Sequence, residues 1–218
     1  MTRTKSSKAW LAEHFTDEFV KRAQREGYRS RAVYKLHEID QRDHLIAQGM
    51  TVVDLGAAPG GWAQYAVKRV GARGRVVALD ILPLEPLPGV AFIQADFTEP
   101  EALAQLSEAL KGRPADLVIS DMSPNISGIE ARDQARAAYL AELALDFAER
   151  VLRPGGGFLV KTFQGPGFNE FYRRLQACFD KVVTRKPRAS RPRSREVYLL
   201  GKGFRAGRRD GVAAPERP

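Results

Sequence analysis

The sequence predicts an α/β fold, a mostly parallel sheet with helices on both faces, and three observations carry that expectation. From residue 50 onward short β-rich runs alternate with helical stretches, the rhythm of βαβ units. GGGFLVKTF (155–163) is a turn followed by the continuous apolar run Phe158, Leu159, Val160, which suits a strand buried on both faces. The chain has 218 residues, is 44% apolar and shows no internal repeat, which fits one domain with extensions.

Ahead of the sheet, Leu11, Phe15 and Phe19 recur at i, i+4 and predict a helix. RAVYKLHEIDQ (31–41) predicts a second, with Ala32, Leu36 and Ile39 on one face and Arg31, Lys35, Glu38 and Arg42 on another. TVVDL (51–55) is the first strand, and a glycine-rich turn leads from it into a helix at about 61–70. RVVALD (75–80) and VAFIQ (90–94) are the next two strands, followed by a helix at about 99–111 and the strand ADLVISD (115–121). A long helix at about 130–152 precedes GGFLVKTF (156–163). The last two strands, at about 179–185 and REVYLLG (195–201), are separated by a basic loop and are expected to lie antiparallel at one edge. Residues 1–204 are therefore read as a single domain, a helical extension over 1–49 and a core over 50–204, with 205–218 a basic, disordered tail.

No run of about 18 apolar residues suits a membrane helix, and MTRTKSSKAW lacks the apolar core of a signal peptide. The expectation is a soluble cytoplasmic protein with no membrane association. Cys178 is the only cysteine and forms no metal-ligand spacing with His14, His37 and His44, so no disulfide and no metal are expected. The net charge of +9 is unevenly spread. It is +3 over residues 1–50 (ten basic, seven acidic), −3 over 51–180 (thirteen basic, sixteen acidic) and +9 over 181–218 (twelve basic, three acidic). In RKPRASRPRSR (185–195) six of eleven residues are basic and two prolines exclude a helix, so this stretch is either a solvated charged loop or an arm for a polyanion.

In open α/β sheets ligands bind beyond the carboxyl ends of the strands. Asp54, Asp80, Asp96 and Asp121 all fall at or just after such ends, and the first strand turns through Gly56-Ala57-Ala58-Pro59-Gly60-Gly61 into Trp62. Asp80 lies 20 residues beyond Gly60, the spacing at which an acid grips ribose hydroxyls, although the turn lacks the G-x-G-x-x-G pattern. Any one of these aspartates can be a cap or turn residue. Together, four carboxylates repel a dinucleotide's diphosphate and suit S-adenosylmethionine, which carries an adenosine, a sulfonium and no phosphate. Lys161 at the tip of the fifth strand is the other anomaly, since lysine is almost never buried unless paired. Neighbouring strands lie about 4.8 Å apart, so Asp121 after the fourth strand can pair with it. That pair can belong to a site or can simply rigidify the sheet edge.

RSRAVYKLHEID, VVDLGAAPGGW, SDMSPNISG, LVKTFQG and SRPRSREVYLL, in this order over roughly residues 5–203, resemble the FtsJ family of ribosomal RNA 2′-O-methyltransferases. The resemblance implies a Rossmann-like, S-adenosylmethionine-dependent fold with seven strands, the last antiparallel. It implies a catalytic set on Lys35, Asp121, Lys161 and Glu196, and cofactor contacts at Gly60, Trp62, Asp80, Asp96 and Asp121. By pattern alone Lys35 can pair with Glu38 on a solvated helix face, and Glu196, which shares a strand face with Tyr198 and Leu200, can pair with Arg195. The implied reaction is attack of a ribose 2′-hydroxyl on the sulfonium methyl, with Lys161 either a neutral base or a charged positioner. The implied substrate is a uridine of large-subunit (23S) ribosomal RNA within the large subunit, met by loop 185–195 and the N-terminal helices of a monomer. The alternatives are the same chemistry on transfer RNA or an mRNA cap, and a non-catalytic RNA-binding assembly protein.

Overall fold

The computed structural model describes residues 17–124, 127–191 and 194–206. Leu11, Phe15, His14, Arg193 and residues 207–218 of the expected tail lie outside the described residues. The elements are α1 (Glu18–Arg25), α2 (Val33–Asp43), β1 (Thr51–Leu55), α3 (Gly61–Val70), β2 (Arg75–Asp80), β3 (Val90–Gln94), α4 (Pro100–Leu110), β4 (Ala115–Ser120), α5 (Glu130–Val151), β5 (Leu152–Phe163), α6 (Phe168–Cys178), β6 (Phe179–Arg185) and β7 (Glu196–Phe204).

The seven strands form one sheet in the order β3-β2-β1-β4-β5-β7-β6. The first five are parallel, and β7 is antiparallel to both of its neighbours. The predicted antiparallel pair exists, but β7 is inserted between β5 and β6, so β6 is the edge. The reason is α6, a helix the sequence reading leaves unassigned. It carries the chain from β5 across to β6, leaving a gap one strand wide that the returning β7 fills. Phe171 and Leu175, one helical turn apart, are its two buried residues. β5 also begins four residues earlier than expected, because the register against β4 shifts between the Ala115–Leu152 and Leu117–Gly157 pairs and the intervening residues bulge out.

Each face of the sheet has its own core. On one, Leu36 and Ile39 of α2 and Trp62, Ala63 and Tyr65 of α3 pack on Val52, Ile119, Leu159, Tyr198 and Leu200. On the other, Leu106, Leu145, Phe147 and Leu175 of α4–α6 pack on Val53, Val118, Phe158 and Leu199. The alternation along each strand assigns Leu159, Lys161, Tyr198 and Leu200 to the α2–α3 side. Among the described residues, no helix is long and apolar enough to cross a membrane.

α2 is fastened to the sheet at its C-terminal end. The buried Asp43 carboxylate accepts from Arg185 Nε (2.7 Å) and Nη2 (2.9 Å) and from Lys202 Nζ (3.0 Å). The Arg185 hydrogen bonds, helped by Lys202 and opposed by burial, hold the Asp43 carboxyl at about 2. A depressed folded-state value means that this stabilisation is complete above the unfolded value near 4 and is lost as the pH falls through 2. Asp43→Asn should destabilise the protein by roughly 1–2 kcal/mol at pH 7 in urea unfolding. Its difference from wild type should shrink below pH 4, and a difference independent of pH would contradict the assignment.

Candidate active site

The site is built at the C-terminal ends of the parallel strands. After β1 the chain turns at Gly56, whose φ is +79° and where a Cβ would lie 2.7 Å from the Met122 side chain, so only glycine lets β1 and the segment after β4 approach this closely. The turn is braced by β2. Leu79 O accepts from the Gly56 and Ala57 amides, and the Asp80 carboxylate accepts from the Ala58 amide and from Leu82 N, each at 2.8 Å. Asp96, after β3, accepts from the amide (2.9 Å) and hydroxyl (2.7 Å) of Thr98, which hold its carboxyl below the ordinary value. Trp62 opens α3 with its ring buried against Tyr198 and its indole N–H donated to Ala32 O.

Asp54 on β1 has no accessible surface, and neither of its oxygens meets a full hydrogen bond. Burial, then the Asp121 and Asp80 carboxylates, push its carboxyl well above the ordinary value, with the Ala63 amide of α3 only weakly opposing. An orphaned buried acid, two further carboxylates and a close-approach glycine turn fit a positively charged nucleoside without phosphate. They would reject a diphosphate.

Beside this turn the structure brings together all four residues of the expected catalytic set. Lys161 Nζ donates to Asp121 O at 2.6 Å and lies 3.0 Å from Asp121 Oδ1. Lys35 Nζ lies 2.7 Å from Glu196 Oε1 and 3.8 Å from Asp121 Oδ1. The four side chains are at most 17% exposed. Burial pushes the Asp121 carboxyl up, but Lys161, Lys35 and the Tyr198 hydroxyl together bring it below its ordinary value, so it is ionised.

Several pairings differ from the pattern-based possibilities. Lys35 does not pair with Glu38, whose carboxylate accepts instead from the Arg188 amide (2.8 Å). Glu196 does not pair with Arg195, which reaches Glu130. Lys161 sits two residues inside the end of β5, and Asp121 one residue beyond β4. The basic loop is docked, with Pro187, Ala189 and Ser190 buried. It is held on α2 through Glu38 and on the turn before α2 through Arg31 Nη2, which donates to Ala189 O (2.7 Å), and is closed by Lys186 Nζ on Ser194 O (2.6 Å). Arg188 is exposed, while Arg185 is committed to Asp43.

A sequence profile of the FtsJ-like methyltransferases matches residues 28–204. The chain belongs to the FtsJ-like methyltransferase family. Ribosomal RNA large subunit methyltransferase E of Methylobacillus flagellatus is 64% identical over 201 residues, covering 92% of this chain and 97% of that protein. The enzyme of the same name from Pseudomonas aeruginosa is 59% identical over 205 residues, covering 94% and 99%. Among solved structures, a protein from Plasmodium falciparum described as a ribosomal RNA methyltransferase superposes with a TM-score of 0.73 at 29% identity, covering 81% of this chain and 98% of that one. The antiparallel β7 and the glycine turn are thus those of an FtsJ-like, S-adenosylmethionine-dependent methyltransferase.

Tyr198 is a residue of this cluster that the sequence reading does not single out as a site residue. Its Cα pairs with Lys161 across β5 and β7, its hydroxyl donates to Asp121 Oδ1 at 2.6 Å, and Lys35 Nζ sits 5.6 Å from its ring centroid. The available signal was its position two residues from Glu196 on one strand face, opposite Lys161 in the neighbouring strand. Tyr198→Phe keeps the ring and removes the donor. Urea unfolding should show a loss of about 1.5–3 kcal/mol, as for a hydrogen bond to a buried charge; unchanged stability would mean that Asp121 does not need this hydroxyl.

Proposed function

We propose that this chain transfers a methyl group from S-adenosylmethionine to the 2′-oxygen of a uridine ribose in large-subunit (23S) ribosomal RNA. The observation that carries the proposal is the Lys35–Asp121–Lys161–Glu196 cluster, buried beside the glycine turn. The names borne by the relatives from Methylobacillus and Pseudomonas support the choice of RNA. The same reading includes a monomer working in the cytoplasm on a target within the large subunit.

In this reading Gly60, Trp62, Asp80, Asp96 and Asp121 hold the cofactor. Since the Trp62 indole is committed to Ala32 and Tyr198, its contribution falls to its backbone amide in the first turn of α3, where amides are unpaired. When bound, the cofactor supplies an activated methyl on a positive sulfur. The ribose 2′-oxygen would take that methyl, its hydroxyl proton passing to water as the O–C bond formed and the S–C bond broke. Lys161 positions the hydroxyl as an ammonium. Of its three donors, one is engaged by Asp121 O and one by Asp121 Oδ1, which leaves the third for the ribose oxygen. That N–H stabilises negative charge as it develops on oxygen. Lys35 and Glu196 neutralise each other and fix Asp121 from the opposite side. Exposed Lys21, Arg25 and Arg42 on α1 and α2, with Arg188 on the docked loop, supply sequence-independent phosphate contacts on the extension that flanks Lys35.

Methyl transfer to large subunits in vitro tests the assignment. Lys161→Ala should reduce the rate by about 10²–10³ while leaving cofactor affinity nearly unchanged. With Lys161 acting as a charged positioner and not as a base, the wild-type rate should be flat between pH 7 and 8. A rise through that window would make Lys161 a neutral base, and a Lys161→Ala variant at half the normal rate would remove it from the chemistry.

A further inference from the structure

The four charged residues of the cluster, Asp121 among them, use their charges on one another, whereas Asp54 is left over. It lies on β1 directly before Leu55 and the glycine turn, paired in register with Ala78 of β2 and Ile119 of β4. It is fully buried, with neither oxygen in a full hydrogen bond. The groups that face it are Asp80 from β2, Asp121 from the segment after β4 and the Ala63 amide from α3, and none of them is a cation. Lys35 and Lys161, the cations of the cluster, are held by Glu196 and Asp121. An ionised carboxylate buried without a partner is too costly to persist, so in the cofactor-free protein Asp54 is a neutral acid.

We propose that Asp54 releases its proton when S-adenosylmethionine binds, and that the resulting carboxylate distinguishes the positively charged cofactor from its neutral-sulfur product. The balance is simple. The carboxylic acid becomes a carboxylate, the proton passes to solvent, and the missing positive neighbour is supplied by the cofactor, whose sulfonium and ammonium outweigh its single carboxylate. S-adenosylhomocysteine has a thioether in place of the sulfonium and carries no net charge, so it draws out less of the proton. Two unit charges within roughly 12 Å at an effective dielectric constant of about 20 interact by about tenfold or more in an equilibrium constant. Asp54 should therefore favour the cofactor over the product by about that factor, helping the product to leave after each transfer. Ionisation would also depend on the fold of the glycine turn, since Asp80 both faces Asp54 and accepts from the Ala58 amide.

The inference rests on S-adenosylmethionine as cofactor, and calorimetry of the full chain separates the two. Titrations with S-adenosylmethionine and with S-adenosylhomocysteine are run at pH 6.5, where an α-amino group is protonated, in two buffers of different ionisation enthalpy. The wild-type protein should release close to one proton on binding the cofactor and clearly less on binding the product. Asp54→Asn, nearly isosteric and checked for an unchanged thermal transition, should release none with either ligand, and its preference for cofactor over product should fall about tenfold. Equal release with both ligands, or undiminished release in Asp54→Asn, would overturn the role of Asp54 while leaving the cofactor in place. Should Asp54→Asn fail to fold, the wild-type comparison of the two ligands decides alone. Absence of any binding to S-adenosylmethionine would overturn the cofactor and this inference together.

Discussion

One buried carboxylate organises this molecule. Asp121 is ionised in a place where its charge would be prohibitive without partners, and it has three: Lys161 from β5, Lys35 from α2 and the Tyr198 hydroxyl from β7. Glu196 adds a second negative charge against Lys35, so two lysines and two acids cancel within one enclosed volume. Removing any one member strands a buried charge. The helical extension ahead of the sheet is consequently part of the site, because it delivers Lys35, and its docking is set by the demand for charge balance at the strand tips.

The sheet order makes this convergence possible. Placing β5 between β4 and β7 puts Lys161 next to the segment that carries Asp121 on one side and opposite Tyr198 on the other. The same register sets Glu196 against Phe163, one strand-face step beyond Tyr198, where it meets Lys35. Fastening at the far end of α2, through Asp43 to Arg185 and Lys202, and docking of loop 186–191 on its flank leave the helix little freedom. Trp62 links the two halves of the site: its backbone begins the helix that follows the glycine turn, and its ring packs on Tyr198.

Much of this was legible in the sequence for physical reasons. Strands buried on both faces are written as continuous apolar runs, so β1 and β2 appear at their expected residues and β4 within one, and the half-buried edge strand β3 is found by its β-rich run. α6 escaped notice because its buried signal is only Phe171 and Leu175, set among charged residues and a pair of flanking glycines. The insertion of β7 is a property of chain length between strands and not of any local pattern. Lys161 announced itself by lying in an apolar run. Lys35 and Glu196 did not, since each has a nearer sequence neighbour of opposite charge, and only the tertiary fold chooses the distant partner. Tyr198 was hidden for the opposite reason, as an aromatic residue in a buried strand needs no explanation until its hydroxyl is traced.

We propose that an ionised Asp121, shared by two lysines, equips this FtsJ-like methyltransferase for 2′-O-methylation of large-subunit ribosomal RNA. The most direct measurement is a map of 2′-O-methyl groups on ribosomal RNA from cells that lack the protein, complemented either with wild type or with Asp121→Asn. The account predicts that one uridine methyl in the large-subunit RNA disappears in the absence of the protein, returns with wild type and does not return with Asp121→Asn, which keeps the shape and removes the charge. Full restoration by Asp121→Asn, or a methyl map that does not change when the protein is absent, would contradict it.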